Sequence, residues 1–375
     1  MKVMLAGHIL GQGGIQSHLK WLAKALVEEQ IETVIVSLGN HQASANNLQE
    51  IQSLRDEGIK VKLCSFDPAK PVKFNWNKFK RFIEIKNSID EFTPDIYLAV
   101  GVGWNLYLPP LFSKTKQRAI FHEVMSGVPK GWKDSRWCVK GWFDEVVGQS
   151  QNVANTFTRC FGWQKPVPAL PAIPEPLELT ASLPQVKHQT VPLGTAKAAF
   201  FSRLTPHKQG FWLVKQWDLL KEHLAELHIH GGGAEEALIR EYIAERGIGD
   251  RVKCFGRYPQ GQAYVDLLSS YDLTLLPTIG QEGAPLVLLE SMACGVPFVA
   301  YGVGGIPDYG VDNPNVLIMS PEKKDFVAGV RQMAQNLATG KIDRQQLQQF
   351  YFNNYSYKVL KKAWLSYLSQ GSKTA

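Results

Sequence analysis

Long apolar runs are absent from this chain, and no segment reaches the ~18 unbroken apolar residues that a membrane-spanning helix needs. Cysteine is scarce. The five present (Cys64, Cys138, Cys160, Cys254, Cys294) are odd in number, far apart and never spaced C-x-x-C, which argues against a disulfide framework or a zinc site. They read as reduced and structural. Low-complexity tracts are also missing, and 45% hydrophobic with 20% charged residues excludes global disorder. The apolar run at Val3-Met4-Leu5-Ala6 is too short for a signal peptide, and no small-residue cleavage site follows it. A cytoplasmic protein is the expectation.

What is present points to two domains. At 375 residues the chain is about twice the usual single-domain size, so each half can bury its own core. Forty-one Lys and Arg against 34 Asp and Glu leave a net charge of +7. The excess is uneven: residues 1–175 hold 21 basic and 16 acidic side chains, a surplus of 5, which leaves 2 for the rest. Such a bias suits an anionic partner, whether phosphate, membrane surface or nucleic acid.

Short β runs at Val3–Ala6, Thr33–Leu38, Val61–Cys64, Ile96–Val100, Ala119–Phe121 and Glu145–Val147 alternate with helix-length stretches. The first helical stretch places Leu19, Leu22, Ala23 and Leu26 at i, i+3, i+4 and i+7. Alternation resumes at Ala198–Ser202, Leu227–His230, Val252–Phe255, Leu273–Leu276 and Phe298–Tyr301. This pattern predicts right-handed βαβ units and parallel sheets, giving an α/β protein of two Rossmann-like domains. Five prolines between 166 and 176 (Pro166, Pro168, Pro171, Pro174, Pro176) mark a hinge between residues 1–168 and 177–354. Ligands bind outside the carboxyl ends of strands in such open sheets, so a cleft between facing domains is expected.

Several segments carry candidate chemistry. Gly11-Gln12-Gly13-Gly14-Ile15-Gln16 opens the first helix, where glycines permit close backbone approach and a helix N-terminus attracts an anion. It is not a dinucleotide fingerprint, because Gln16 replaces the third glycine and no acid follows the second strand. A tight turn without a ligand is the competing reading. Arg203 and Lys208, at the lip of the first strand of the second domain, suit a diphosphate, against the alternative of two solvated surface cations.

The run Leu276-Pro277-Thr278-Ile279-Gly280-Gln281-Glu282-Gly283-Ala284-Pro285-Leu286 leads into a helix expected to start near Ala284 and to stop at Gly295. It holds Glu282 on the lip and Glu290 inside the helix. On a helical rise the two carboxylates would stand roughly 12 Å apart, about the span between two sugars joined by a diphosphate. Glu290 could instead form a structural salt bridge. His122, expected just after the strand Arg118-Ala119-Ile120-Phe121, is either a packed residue or a cleft-facing group.

Taken together, these residues resemble retaining, nucleotide-sugar-dependent glycosyltransferases of family 4, with the GT-B fold. The likeness covers nearly the whole chain. It rests on Gly13-Gly14, His122, Arg203…Lys208, Gly231-Gly232-Gly233 and the E-x7-E pair Glu282…Glu290, in that order.

The resemblance implies that Arg203 and Lys208 bind the donor diphosphate, Glu290 the ribose hydroxyls, and Glu282 the transferred sugar. His122 would contact that sugar near its reacting carbon. Gly13 and Gly14 would lend N–H groups to the phosphates, and Gly256-Arg257-Tyr258 would contact the base. It also implies transfer with retention of configuration, and a last helix within 355–375 that crosses back to the first domain.

No D-x-D metal motif occurs, in keeping with charge stabilisation by Arg203 and Lys208; no cofactor or metal is expected, and the nucleotide sugar is a substrate. One departure from the family is that Gly283-Ala284-Pro285 stands where G-F-G is usual, and Pro285 lacks an N–H.

The implied substrates are a UDP-hexose, glucose foremost, and a saccharide or lipid-linked acceptor in polysaccharide or glycolipid synthesis. Two rivals are a nucleotide-sugar 2-epimerase of the same architecture and a non-catalytic sugar-nucleotide binder. Residues 70–86 interleave Lys70, Lys73, Lys78, Lys80, Arg81 and Lys86 with Phe74, Trp76, Phe79 and Phe82. A second mixture runs from Lys130 to Trp142, with Trp132, Trp137 and Trp142. Both suit an anionic membrane at its inner face. The alternatives are a core face made by Phe79, Phe82 and Ile83, and an acceptor groove lined by the tryptophans. No nucleic-acid motif accompanies the charge.

Overall fold

The computed structural model describes residues 1–11, 13–38, 45–64, 76–280 and 282–370. Gln12, Lys70, Lys73 and Phe74 lie outside the described residues, as do the side chains of Trp76 and Lys78. Two compact units divide the chain: Met1–Glu175 with Tyr357–Ala375, and Pro176–Ser356.

The first unit holds strands β1 (Lys2–Gly7), β2 (Glu32–Leu38), β3 (Lys60–Cys64), β4 (Ile96–Val100), β5 (Arg118–Glu123) and β6 (Glu145–Gly148). They form one sheet in the order β3-β2-β1-β4-β5-β6, parallel at every pairing. Helices cover both faces, so a strand such as β1 is apolar at successive positions. Val3 and Leu5 point to the face packed by Leu19, Leu22 and Leu26, while Met4 and Ala6 point to the opposite core. The helix bearing those leucines spans Gly14–Glu28.

Strand order reverses between β1 and β4, the switch point where such sheets open to ligands. Gly7 ends β1 there, and a Cβ on it would lie 2.6 Å from the Val100 carbonyl oxygen.

The last helix, Tyr357–Ser369, completes this unit. Leu360, Trp364 and Leu368 enter the same core as Leu19 and Leu22. Polar bonds fix its register: the Tyr357 hydroxyl donates to Glu28 (2.9 Å), Trp364 Nε1 to the Pro171 carbonyl (2.9 Å), and the Tyr367 hydroxyl to Glu145 (2.5 Å).

The proline-rich segment is not a free hinge, and the boundary expected at 168 moves to 175. The Gly148 N–H donates to the Pro168 carbonyl and the Leu170 N–H to the Gly148 carbonyl, so residues 168–170 run beside the end of β6. Leu170 and Ile173 then enter the core. Proline excludes a helix here but leaves an extended strap free to pack.

The second unit holds β7 (Ala196–Phe201), β8 (Leu224–His230), β9 (Val252–Gly256), β10 (Leu273–Leu276), β11 (Phe298–Tyr301) and β12 (Leu317–Met319). Their order is β12-β11-β10-β7-β8-β9, again parallel. Strand β12 has three partly buried residues, too few for a periodic signal. All five cysteines are free.

Two expectations about the basic-aromatic stretches change. Phe79 (49% exposed) and Ile83 (38%) do not form a core face; Ile85 and Ile89 of the same helix, Trp76–Phe92, do. Arg136 is no surface cation. It is fully buried, donating to Glu123 Oε2 (2.9 Å), Asp134 Oδ2 (2.7 Å) and the Val128 carbonyl (2.7 Å). Burial pushes the Glu123 carboxyl up, and the Arg136 charge pulls it back.

Removing one member of such a network strands the others in a dry site. Arg136→Ala should therefore cost about 3–5 kcal/mol in urea denaturation of the intact chain. A cost indistinguishable from zero would show that the triad is dispensable.

Candidate functional site

At the carboxyl ends of β7, β8 and β9, three loops are stitched together by their backbones. The Ser202 N–H donates to the His230 carbonyl (3.1 Å), Leu204 to Gly232 (3.0 Å) and Gly231 to Gly256 (2.7 Å). Glycine is required for this approach, since a Cβ on Gly231 would overlap the Ser202 carbonyl oxygen and one on Gly233 the Leu204 carbonyl. Both have positive φ, 143° and 158°. Gly231-Gly232-Gly233 thus fixes the loop that carries Arg203, whose side chain is exposed and has no ion-pair partner among the described residues.

Lys208 is placed differently. It lies in a short 3-10 turn, Pro206–Lys208, and its side chain is only 9% exposed. Its Nζ is paired with Glu282 Oε2, which sets aside the alternative of a solvated surface cation for Lys208. The same carboxylate oxygen accepts from the buried Thr278 hydroxyl (2.9 Å), and the Ile279 N–H donates to the His207 carbonyl (2.8 Å). The lips of β7 and β10 are therefore tied through one carboxylate.

A further glycine lies against the backbone of Glu282. Gly304 has φ +57°, and a Cβ there would overlap the Glu282 carbonyl oxygen. The neighbouring Gly305 N–H donates to the Gly283 carbonyl (2.6 Å).

The helix after Glu282 spans Leu286–Ala293. It starts two residues later than expected, with Pro285 as N-cap in an extended conformation (ψ 123°) and Gly283 and Ala284 in the loop before it. Glu282 thus sits outside the helix, and helical rise does not set its spacing from Glu290. Gly295 follows the helix with φ +66°, as a left-handed terminator.

Glu290 accepts a hydrogen bond from the Tyr264 hydroxyl (2.5 Å). Tyr258 stacks on Tyr264 with centroids 5.2 Å apart. Burial and the nearby Glu290 charge push the Tyr258 phenol up to about 12. Gly256 has φ +80°, and the exposed Arg257 passes its stem over Gly232. Arg203, Lys208, Glu282, Gly256, Arg257, Tyr258 and Glu290 all lie on the loops and helix that follow strand ends of this one sheet. Sequence reasoning missed Thr278, Tyr264 and Gly304. Of these, Gly304 alone carried a signal, the G-x-G-G run Gly302-Val303-Gly304-Gly305.

In the first unit, Gly13 caps the helix that begins at Gly14. Both glycines are exposed, and among the described residues no side chain caps this helix end. His122 departs from expectation: it lies inside β5 with no exposed surface. Its Nδ1 is 3.0 Å from His18 Nε2, and His18 Nδ1 accepts from the Ile173 N–H (3.0 Å). That acceptor role puts the His18 proton on Nε2 and the His122 proton on its own Nε2. Trp364 packs on both rings at centroid distances of 5.1 and 4.9 Å. Burial holds the His122 imidazole down at about 3, against a small opposing pull from the Leu170 backbone.

Known proteins resemble this chain in sequence and in fold. Residues 195–336 match the family model described as glycosyl transferases group 1. A GDP-mannose-dependent monoacylated alpha-(1-6)-phosphatidylinositol monomannoside mannosyltransferase of Corynebacterium glutamicum is 28% identical over 200 residues, 50% of this chain and 52% of that protein. The matched stretch thus spans about half the length of that relative. Among solved structures, Anabaena Alr3699/HepE in complex with UDP superposes with a TM-score of 0.75 at 16% identity, over 99% of this chain and 100% of its own. Sucrose-phosphate synthase from Thermosynechococcus elongatus gives 0.77 at 13% identity, with 100% of both chains covered. The chain has the GT-B fold, and the stretch matching the group 1 glycosyl transferase model lies within its second unit.

The Gly304 contact generates a test. Gly304→Ala adds a Cβ where none fits and strains a left-handed residue, at a cost of at least about 1–3 kcal/mol. It should lower the melting temperature and displace the Glu282 segment, read as weakened nucleotide binding by calorimetry. Unchanged values for both would refute the close approach.

Proposed function

We propose that the protein is a retaining glycosyltransferase that moves a hexose, glucose foremost, from a UDP-linked donor to a saccharide or lipid-linked acceptor. The observation that carries this reading is the Lys208–Glu282 pair beside Arg203 on the lip of a group 1 glycosyl transferase domain. A donor diphosphate would compete for the Lys208 ammonium and recruit Arg203. Glu282, released from Lys208, would then accept hydrogen bonds from hydroxyls of the hexose. Partner exchange of this kind keeps the ammonium ion-paired and the carboxylate hydrogen-bonded before and after donor entry.

Glu290, oriented by Tyr264, would accept the ribose hydroxyls, and Gly256-Arg257-Tyr258 would meet the base. The negative charge that grows on the departing diphosphate falls to Arg203 and Lys208. The acceptor hydroxyl attacks on the face the diphosphate leaves, and a leaving phosphate oxygen takes its proton; the anomeric configuration is retained. Gly13 and Gly14 are assigned to the phosphates, while His122 stays packed beneath Trp364. The UDP bound by Alr3699/HepE supports the donor class, and the GDP-mannose named for the Corynebacterium relative makes the base and the hexose the first quantities to measure.

The acceptor side is read from the first domain. Phe79, Ile83 and Phe112 are exposed around the partly buried Phe82, which touches the rings of Phe79, Trp104 and Phe112. Trp132 is 83% exposed with the Lys133 ammonium over its ring. Exposed rings beside lysines suit an anionic lipid surface, where a lipid-linked acceptor would be found. Among the described residues no helix is long and apolar enough to cross a membrane.

Release of UDP or GDP from a donor panel tests the reading. One donor should turn over, and Lys208→Ala or Glu290→Ala should lower kcat by about a hundredfold or more. A fully active Lys208→Ala/Glu290→Ala double variant would overturn the site. UDP-N-acetylglucosamine converted to a new nucleotide sugar without acceptor would identify an epimerase instead.

A further inference from the structure

Behind the β7–β9 lip, four side chains are joined end to end. Glu226 Oε2 lies 2.7 Å from His228 Nε2, His228 Nδ1 lies 2.9 Å from the Tyr271 hydroxyl, and that hydroxyl lies 2.7 Å from His230 Nε2. Both histidines and Tyr271 are buried. Burial raises the Glu226 carboxyl, but hydrogen bonds from Lys253, His228 and Lys197 bring it down to about 2, so it stays ionised.

An ionised carboxylate can only accept, and this gives the chain a direction. His228 must carry its proton on Nε2, which leaves Nδ1 bare. Tyr271 must donate to that Nδ1, and its oxygen then accepts from His230 Nε2–H. Burial keeps the His230 imidazole low, at about 4, and Tyr271 high, at about 12, so both stay neutral at physiological pH.

The end of this chain sits at a mechanical junction. The His230 ring lies between Phe201 (4.6 Å, 7°) and Phe255 (5.0 Å, 8°), a nearly parallel slab across β7, β8 and β9. The His230 carbonyl holds the Ser202 N–H, one residue before Arg203, and the next residue, Gly231, bonds to Gly256. Phe201 in turn meets the edges of Tyr258 and Tyr264, the latter bound to Glu290.

We propose that His230 is a positioning residue for the donor loops, with its ring locked between Phe201 and Phe255 by the Glu226–His228–Tyr271 chain. The role rests on reading these loops as the nucleotide-sugar site. A ring free to turn would no longer hold Phe201 and Phe255 parallel on its two faces, and the placement of Tyr258 and Arg203 would loosen with it.

The test separates positioning from mere stability. Tyr271→Phe strands His230 Nε2–H in a buried site, a defect that costs both stability and geometry. In Tyr271→Phe/His230→Phe the stranded donor is removed as well, which leaves only the His228 Nδ1 acceptor unpaired and returns part of the lost stability, while the ring at position 230 has no hydrogen bond to fix its angle. Binding of UDP-glucose and GDP-mannose by calorimetry, beside thermal unfolding, is measured for the wild type and both variants.

The single variant should bind the preferred donor about tenfold more weakly, and the double variant should regain part of the lost stability without regaining affinity. In the wild type, nitrogen-15 spectra should show His228 and His230 protonated on Nε2 and bare on Nδ1. Full recovery of affinity in the double variant, an unaffected single variant, or the opposite tautomers would overturn this role alone. A wild type that binds neither nucleotide sugar would overturn the functional reading and this role with it.

Discussion

Backbone contact without side chains is the constraint on which the second domain's site depends. Where β7 and β8 end, Gly231 and Gly233 let one turn lie against the carbonyls of Ser202 and Leu204. Gly304 does the same for Glu282. Main chain packed on main chain leaves little freedom to either partner, so the exposed Arg203 and the paired Lys208 and Glu282 project from a rigid rim. Sites on such supports hold their geometry better than sites on long loops.

The charges of the two domains are handled in contrasting ways. The Arg136–Glu123–Asp134 cluster is sealed and satisfied, with every charged group spent on its neighbours. Lys208 and Glu282 are shallower, at 9% and 14% exposure. A sealed network serves the fold. One at the rim can exchange partners, because an incoming anion offers the ammonium what the carboxylate already supplies.

Much of this was legible in the sequence, for reasons that differ by element. Eleven of the twelve strands stood out because parallel strands covered on both faces are written as unbroken apolar runs. The glycine turn after β8 and the E-x7-E pair were visible because chemistry at strand ends uses few residue types. His122 was misplaced because a histidine one residue inside a strand and one just beyond it look alike in one dimension, and the Trp364 that covers it lies 242 positions later. Tyr264 and Thr278 were invisible: a tyrosine or threonine that orients a carboxylate has the same spelling as one in a core. Arg136 read as surface because burial of an arginine depends on partners, Glu123 and Asp134, whose proximity only the fold supplies.

The closing of the first sheet by Tyr357–Ser369 has a consequence for how the molecule is made. Leu19, Leu22, Ile120 and Val147 share their core with Leu360 and Trp364, so the unit that holds them cannot finish burying its apolar surface until residues about 200 positions beyond Val147 have been translated. The middle of the chain, Pro176–Ser356, carries no such debt and can fold as soon as it emerges. Of the two units, the one begun earlier is therefore completed later, and it depends longer on whatever shields nascent chains from aggregation.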